Sequence, residues 1–142
     1  MIAVESISAI LFPSKADRES VRSLAELRKR ITAGLSKSCL KWTAQCIVGE
    51  EDAMRLAYEI VPRTTYKRRR KLSAHEGEAT ARLARVFATA THVLEDSDAA
   101  REYMLSPHPV FGDERPIDLA LSEIGAMQVE DALWRVFYGV SA

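Results

Sequence analysis

The chain has 142 residues, 47% of them hydrophobic, with 20 Lys/Arg balanced by 20 Asp/Glu. That is enough for one domain or two small ones with an ordinary core, and no apolar run approaches the ~20 residues that cross a bilayer. The neutral total conceals a split: residues 1–71 hold fifteen Lys/Arg against eight Asp/Glu, net +7, and residues 72–142 hold five against twelve, net −7. A positive half suits a polyanion such as DNA and a negative half suits a basic protein surface. The same split would let the halves attract each other, or pair head to tail in an oligomer. The opening MIAVESISAILFPSK has no basic n-region, so no signal peptide is expected. Cys39 and Cys46 fall seven apart on one predicted helix, about 10 Å at ~1.5 Å per residue, too far for a disulfide. They read as buried thiols, and the location as cytoplasmic.

Residues 1–17 show no clean period, and Pro13-Ser14 marks a turn from which Ser14 and Asp17 can cap a helix. Leu24, Leu27 and Ile31 form a helical stripe over about 19–33, closed by Gly34. A second helix starts at Ser36 or Ser38, with Leu40, Ala44 and Ile47 on one side and Cys39, Trp42 and Cys46 on another. After Gly49, the acids Glu50, Glu51 and Asp52 are placed in the first turn of a third helix, whose core face is Ala53, Leu56, Ala57 and Ile60. Val61-Pro62 ends it, and a short helix from Arg63 to about Lys71 follows.

Ser73-Ala74-His75-Glu76 is a capping box opening the longest helix, about 74–94, with a stripe at Ala79, Leu83, Val86, Phe87, Ala90 and Leu94. Glu78 and Arg82 lie one turn apart outside it. Asp96 starts a helix to about Leu105, and Pro107-His108-Pro109 forces an extended loop. Pro116 opens a helix with Ile117, Ala120, Leu121 and Ile124 on its face, stopped by Gly125. The last helix, about 127–138, is expected to bury Val129, Leu133, Val136 and Phe137 and to stop at a left-handed Gly139. With no sustained alternation and no hairpin turn, the chain reads as all-α, with a boundary near residue 72 between two closely packed halves.

The run Arg63-Thr64-Thr65-Tyr66-Lys67-Arg68-Arg69-Arg70-Lys71 carries six positive charges and no acid behind a helix and a two-residue turn. That is the layout of a helix-turn-helix. Arg63, Thr64, Thr65 and Lys67 would reach bases, while Arg68, Arg69, Arg70 and Lys71 would hold phosphates. A solvated basic helix end is the plain alternative. Catalytic chemistry is sparse. His75, His92 and His108 lie far apart, and there is no nucleophile elbow, P-loop or dinucleotide fingerprint. The chain is therefore read as a non-enzyme with no metal and no cofactor.

Leu72-Ser73, Arg82-Leu83-Ala84-Arg85-Val86, Ala99-Ala100, Phe111-Gly112-Asp113-Glu114-Arg115-Pro116-Ile117-Asp118-Leu119, Glu123-Ile124-Gly125, Val129, Leu133, Arg135-Val136 and Tyr138-Gly139-Val140 follow one another at set spacing. In that order they resemble the toxin-binding domain of Xre/MbcA/ParS-type antitoxins. Tyr103-Met104-Leu105 stands where the family often has Trp, and Gly112-Asp113 where it usually has a Gly pair. The resemblance implies an Xre-like helical domain over residues 1–71, for dimerisation and operator DNA, and a four-helix toxin-binding domain over residues 72–142. It also implies a type II antitoxin that neutralises a RES-domain toxin, an enzyme that degrades NAD or transfers ADP-ribose. Occlusion would fall to Phe111, Arg115, Trp134, Arg135, Tyr138, Gly139, Val140, Ser141 and Ala142, with the tail carboxylate meeting cleft arginines. A homodimer within a larger complex, away from membranes, is expected. The alternatives are a helix-turn-helix regulator without a toxin partner and an adaptor without DNA activity.

Overall fold

The structure, a computed structural model, describes residues 1–139. Among these residues there are ten α-helices, one 3₁₀ turn and no strand beyond two isolated bridges. The all-α expectation holds. The first helix is a departure: α1, Val4–Leu11, occupies the stretch that showed no period. It buries Ile7 and Leu11 and hands Phe12 into the core. Side chains of the later helix α4, Lys37–Val48, satisfy its last carbonyls: Trp42 Nε1 donates to Ala9 O at 3.2 Å and Thr43 Oγ1 to Ile10 O at 3.0 Å.

The single helix expected over 19–33 is two. α2, Lys15–Ser20, is capped by Ser14, and α3, Leu24–Ala33, by Ser23. Val21 turns inward between them. Leu27 and Ile31 of the expected stripe are buried, but Leu24 stands 60% exposed. α5, Ala53–Ile60, begins after the three acids rather than around them. α6 is only Arg63–Arg68.

α7, Ala74–Leu94, is the axis of the molecule. Both arms of its capping box form: Ser73 Oγ accepts from the Glu76 N–H at 3.1 Å and Glu76 Oε1 from the Ser73 N–H at 2.8 Å. Its inner residues serve two cores. One gathers Ile7, Leu11, Val21, Ile31 and Leu40 with Leu72, Ala81 and Ala84. The other gathers Ile47 and Leu56 with Leu83, Val86, Phe87, Met104, Val129 and Leu133. Each cluster therefore draws on both sides of residue 72, and burying each such Leu or Phe contributes about 1.5–3 kcal/mol.

Past α7, α8 spans Ser97–Leu105 under an Asp96 cap. A 3₁₀ turn, Pro109–Phe111, follows and is closed by the His108–Glu114 bridge. α9 is a single turn, Pro116–Leu119. The expected Gly125 stop is corrected. Gly125 lies in the first turn of α10, Glu123–Phe137, and donates its N–H to the Ser122 cap at 3.0 Å. The reason is steric: a Cβ at this position would meet the Leu119 carbonyl oxygen at 1.9 Å. The glycine lets the α9–α10 turn close rather than ending a helix. Val129 and Leu133 are buried as expected, but Ile124, Val136 and Phe137, all expected in the core, are exposed.

Candidate functional site

The basic segment is built differently from a continuous recognition helix. Arg63, Thr64, Lys67 and Arg68 are exposed on α6, and Thr65 is half-buried. The chain then leaves helical geometry at Arg69. Lys71 pairs with Ser36 in an antiparallel bridge, the Lys37 N–H donates to Arg70 O at 3.0 Å, and the Leu72 N–H donates to Leu35 O at 2.8 Å. Arg70 and Lys71 are exposed on this extended strip. Lys37 comes alongside, its Nζ donating to Tyr66 O at 2.9 Å and lying 4.8 Å from the Tyr66 ring centre. Arg69 does not join the exposed charges. Its guanidinium pairs with Glu76, the residue that also closes the capping box. Burial opposes the Glu76 charge, but the Ser73 N–H and Arg69 outweigh it and hold the carboxyl below its usual range. Arg69, expected at a phosphate, thus ties α6 to α7 while its side chain stays 37% exposed.

The other end of α7 carries the second surface. His92 packs against Trp134 and Phe137 of α10, with ring centres 5.7 and 5.2 Å apart. Trp134 also meets Phe137 at 5.3 Å and Tyr138 at 6.1 Å. Trp134 is half-buried, while Tyr138 is 69% exposed beside exposed Phe137 and Val136. Four aromatic rings thus share one exposed helix end, where water would ordinarily exclude them from a surface with no partner. The end is shaped by Gly139, which follows the helix at φ +71°, its N–H donating to Val136 O at 3.1 Å. A left-handed residue here turns the chain off the helix axis. Val140, Ser141 and Ala142, expected as the occluding tail, lie outside the described residues.

The other expected contacts divide. Phe111 is 7% exposed and packs into the core from the 3₁₀ turn, which leaves little of its ring open to a partner. Arg115 is exposed but forks onto Asp118, with Nε and Nη2 at 2.9 and 3.1 Å from its two oxygens. Arg135 pairs with Asp131 one turn back at 3.0 Å. A network missed in the sequence fixes α10 to α7. Arg85 reaches Glu130 at 2.7 Å and Glu123 at 3.1 Å, and Arg82 reaches Glu123 at 3.0 Å, in place of the expected Glu78 pair. Burial works against the Arg85 charge, but the two carboxylates raise its affinity for its proton. Glu123 is in turn held below the usual range by the two arginines, against the opposing effect of burial. The signal for this network was spacing: Arg82 and Arg85 are three apart, and so share a face.

The thiols have no activating surroundings. Burial pushes Cys39 up to about 11 and raises Cys46 as well, so both stay protonated at neutral pH. Among the described residues, no three His, Cys, Asp or Glu side chains gather as a metal site.

The helical frame is tied by internal ion pairs, with a basic ridge at one end of α7 and an exposed aromatic helix terminus at the other. Residues 89–139, from the second half of α7 to the glycine after α10, match the family model of the antitoxin Xre/MbcA/ParS C-terminal toxin-binding domain. This segment is similar to that domain, and the match supports a type II antitoxin role with a toxin as partner. No curated protein matches the chain.

Proposed function

We propose that this protein neutralises a RES-domain, NAD-consuming toxin by seating the end of α10 on it and placing Val140, Ser141 and Ala142 in the catalytic cleft. The observation that carries this reading is the exposed aromatic end of α10, inside the family-matched segment. Large flat side chains that lose little rotamer freedom make strong anchors, and Trp134 and Tyr138 are of that kind. Gly139 redirects the chain just before the tail. The small side chains of Val140, Ser141 and Ala142 suit entry into a narrow catalytic cleft. The net −7 of residues 72–142 would speed encounter with a basic cleft mouth.

The test is co-expression with the neighbouring reading frame, expected to encode about two hundred residues with an Arg-Glu-Ser signature (a family-based size, of the order of a single domain). Removing Val140 to Ala142 should leave the complex assembled and the toxin active. Full protection by the shortened chain would overturn the plugging mechanism.

The basic ridge supports a second role, repression of the protein's own operon. Arg63, Lys67, Arg68, Arg70 and Lys71 are exposed together. They sit near the start of α7, roughly 28 Å of helix from His92 at ~1.5 Å per residue. Arg68, Arg70 and Lys71 changed together to Ala should weaken operator binding and flatten its salt dependence. Unchanged affinity would leave an antitoxin without direct repression.

A further inference from the structure

We infer that the toxin held by the end of α10 also fills an apolar groove running back along that helix to the N-terminal segment, with Leu24 and Met127 as its main contacts. This rests on the antitoxin reading. α10 spends one face on the core, through Gly125, Ala126, Val129 and Leu133. A second apolar stripe, Ile124, Met127, Trp134 and Tyr138, faces outward. Its spacings of three, seven and four follow the 3.5-residue repeat by which one helix presents a seam to another. Ile124 is 71% exposed and Met127 is 54% exposed. Met127 and Trp134 of this stripe line a hollow of about 620 Å³, which shares Ile7, Leu24, Arg85 and Glu123 with a second of about 530 Å³. Met1 and Ile2 from the chain start line the first, together with Met127 and Trp134.

The chemistry of the groove selects its occupant. Around Met127 and Trp134 its charged groups are matched, Arg85 to Glu130 and Glu123, while Arg28 and Glu78 line the far hollow with no ion pair among the described residues. What stays unmatched around Leu24, Met127 and Trp134 is apolar, so there the occupant supplies apolar side chains on a helix or strand edge rather than a compensating charge. Continuity names the protein that brings them: Trp134 lines the groove and also belongs to the aromatic end, and all of α10 falls within the toxin-binding family match. Leu24 lies outside residues 89–139. The N-terminal half thereby takes part in choosing which toxin is bound.

The test uses the full chain and the purified product of the neighbouring reading frame, with affinity by calorimetry and mass by light scattering. Leu24→Glu and Met127→Glu should each weaken toxin binding at least tenfold. Because both side chains are exposed, circular dichroism and the melting profile should stay unchanged. Leu24→Ala, expected to weaken binding about threefold, serves if a charged variant does not fold. Tyr138→Ala is the comparator for the antitoxin reading. If it weakens binding while the groove variants bind as tightly as the parent, the groove inference is overturned and the antitoxin reading stands. If all variants bind as the parent does, both fail. If Leu24→Glu converts a dimer to a monomer without loss of toxin affinity, a second copy fills the groove and the inference is wrong.

Discussion

Replacing Gly125 by Ala tests how α10 is held. A Cβ at this position would stand 1.9 Å from the Leu119 oxygen, 2.7 Å from the Leu119 carbonyl carbon and 2.9 Å from Ser122 Oγ. Two of these atoms are backbone, so no rotamer change relieves the overlap. Relief requires opening the turn between α9 and α10. That stretches the Ser122 N–H bond to Leu119 O, now 3.2 Å, and the cap that Ser122 Oγ makes with Gly125 N–H, now 3.0 Å. Overpacking costs about 1–3 kcal/mol, a lost cap about 1 kcal/mol, and the better helix propensity of Ala returns about 1 kcal/mol. The net loss is about 1–3 kcal/mol. At about 2–4 °C per kcal/mol for a chain near this size, Tm should fall by roughly 3–10 °C. Thermal melts followed by circular dichroism measure it. Gly139→Ala is the control, since nothing lies within 4 Å of its Cβ position and only the left-handed backbone opposes the change. A Gly125→Ala chain as stable as the parent, or more so, would refute the close approach and with it the placement of the first turn of α10.

Phe111→Ala should cost about 3–5 kcal/mol in urea titrations, as a core aromatic does, whereas Tyr138→Ala should change stability by no more than about 0.5 kcal/mol. Glu95 closes α7 at φ +58°, a left-handed position a long side chain occupies at a cost, so Glu95→Gly should raise stability by about 1 kcal/mol. With its ionisation pushed up to about 11, Cys39 should resist a thiol reagent at pH 8 until the protein unfolds, and half-buried Cys46 should react first. Glu76, Glu123 and Asp17 titrate below their ordinary values in the folded state. The unfolded chain therefore binds more protons as pH falls, and their contribution, present above about pH 4.5, is lost through the acid range beneath it. The urea midpoint should drop between pH 5 and 3, measured on the scale of ordinary carboxylate titration, and less steeply in Glu76→Gln.

Much of this was legible because local signals agreed. Ser73 and Glu76 announced α7 through a motif that needs no tertiary context, and Asp96, Pro116 and Gly139 marked helix ends for reasons confined to their own backbone. α1 was hidden by its eight-residue length and by the serines among its apolar residues, and it exists because α4 and α7 cover it. Gly125 misled because a glycine demanded by a neighbouring carbonyl looks, in sequence, the same as one that stops a helix. α10 begins four residues earlier than expected and takes in Ile124, while Val136 and Phe137 lie off its Val129–Leu133 core face. The basic run read as one helix because nothing local discloses that the Lys37 N–H captures Arg70 O or that Glu76 captures Arg69. Trp134 and Tyr138 were legible as surface candidates. Leu24 was not, since its groove is made by helices far apart in sequence.

The account turns on the end of α10 meeting the toxin, and Trp134 reports on it directly. The chain has two tryptophans, so Trp42→Phe leaves Trp134 as the sole indole. Acrylamide quenching of its fluorescence is to be measured alone and with the neighbouring-frame toxin. A severalfold drop in the quenching constant is expected on complex formation, as Trp134 passes from half-buried to covered. Quenching unchanged in a fully formed complex would place the toxin elsewhere on the molecule and contradict it.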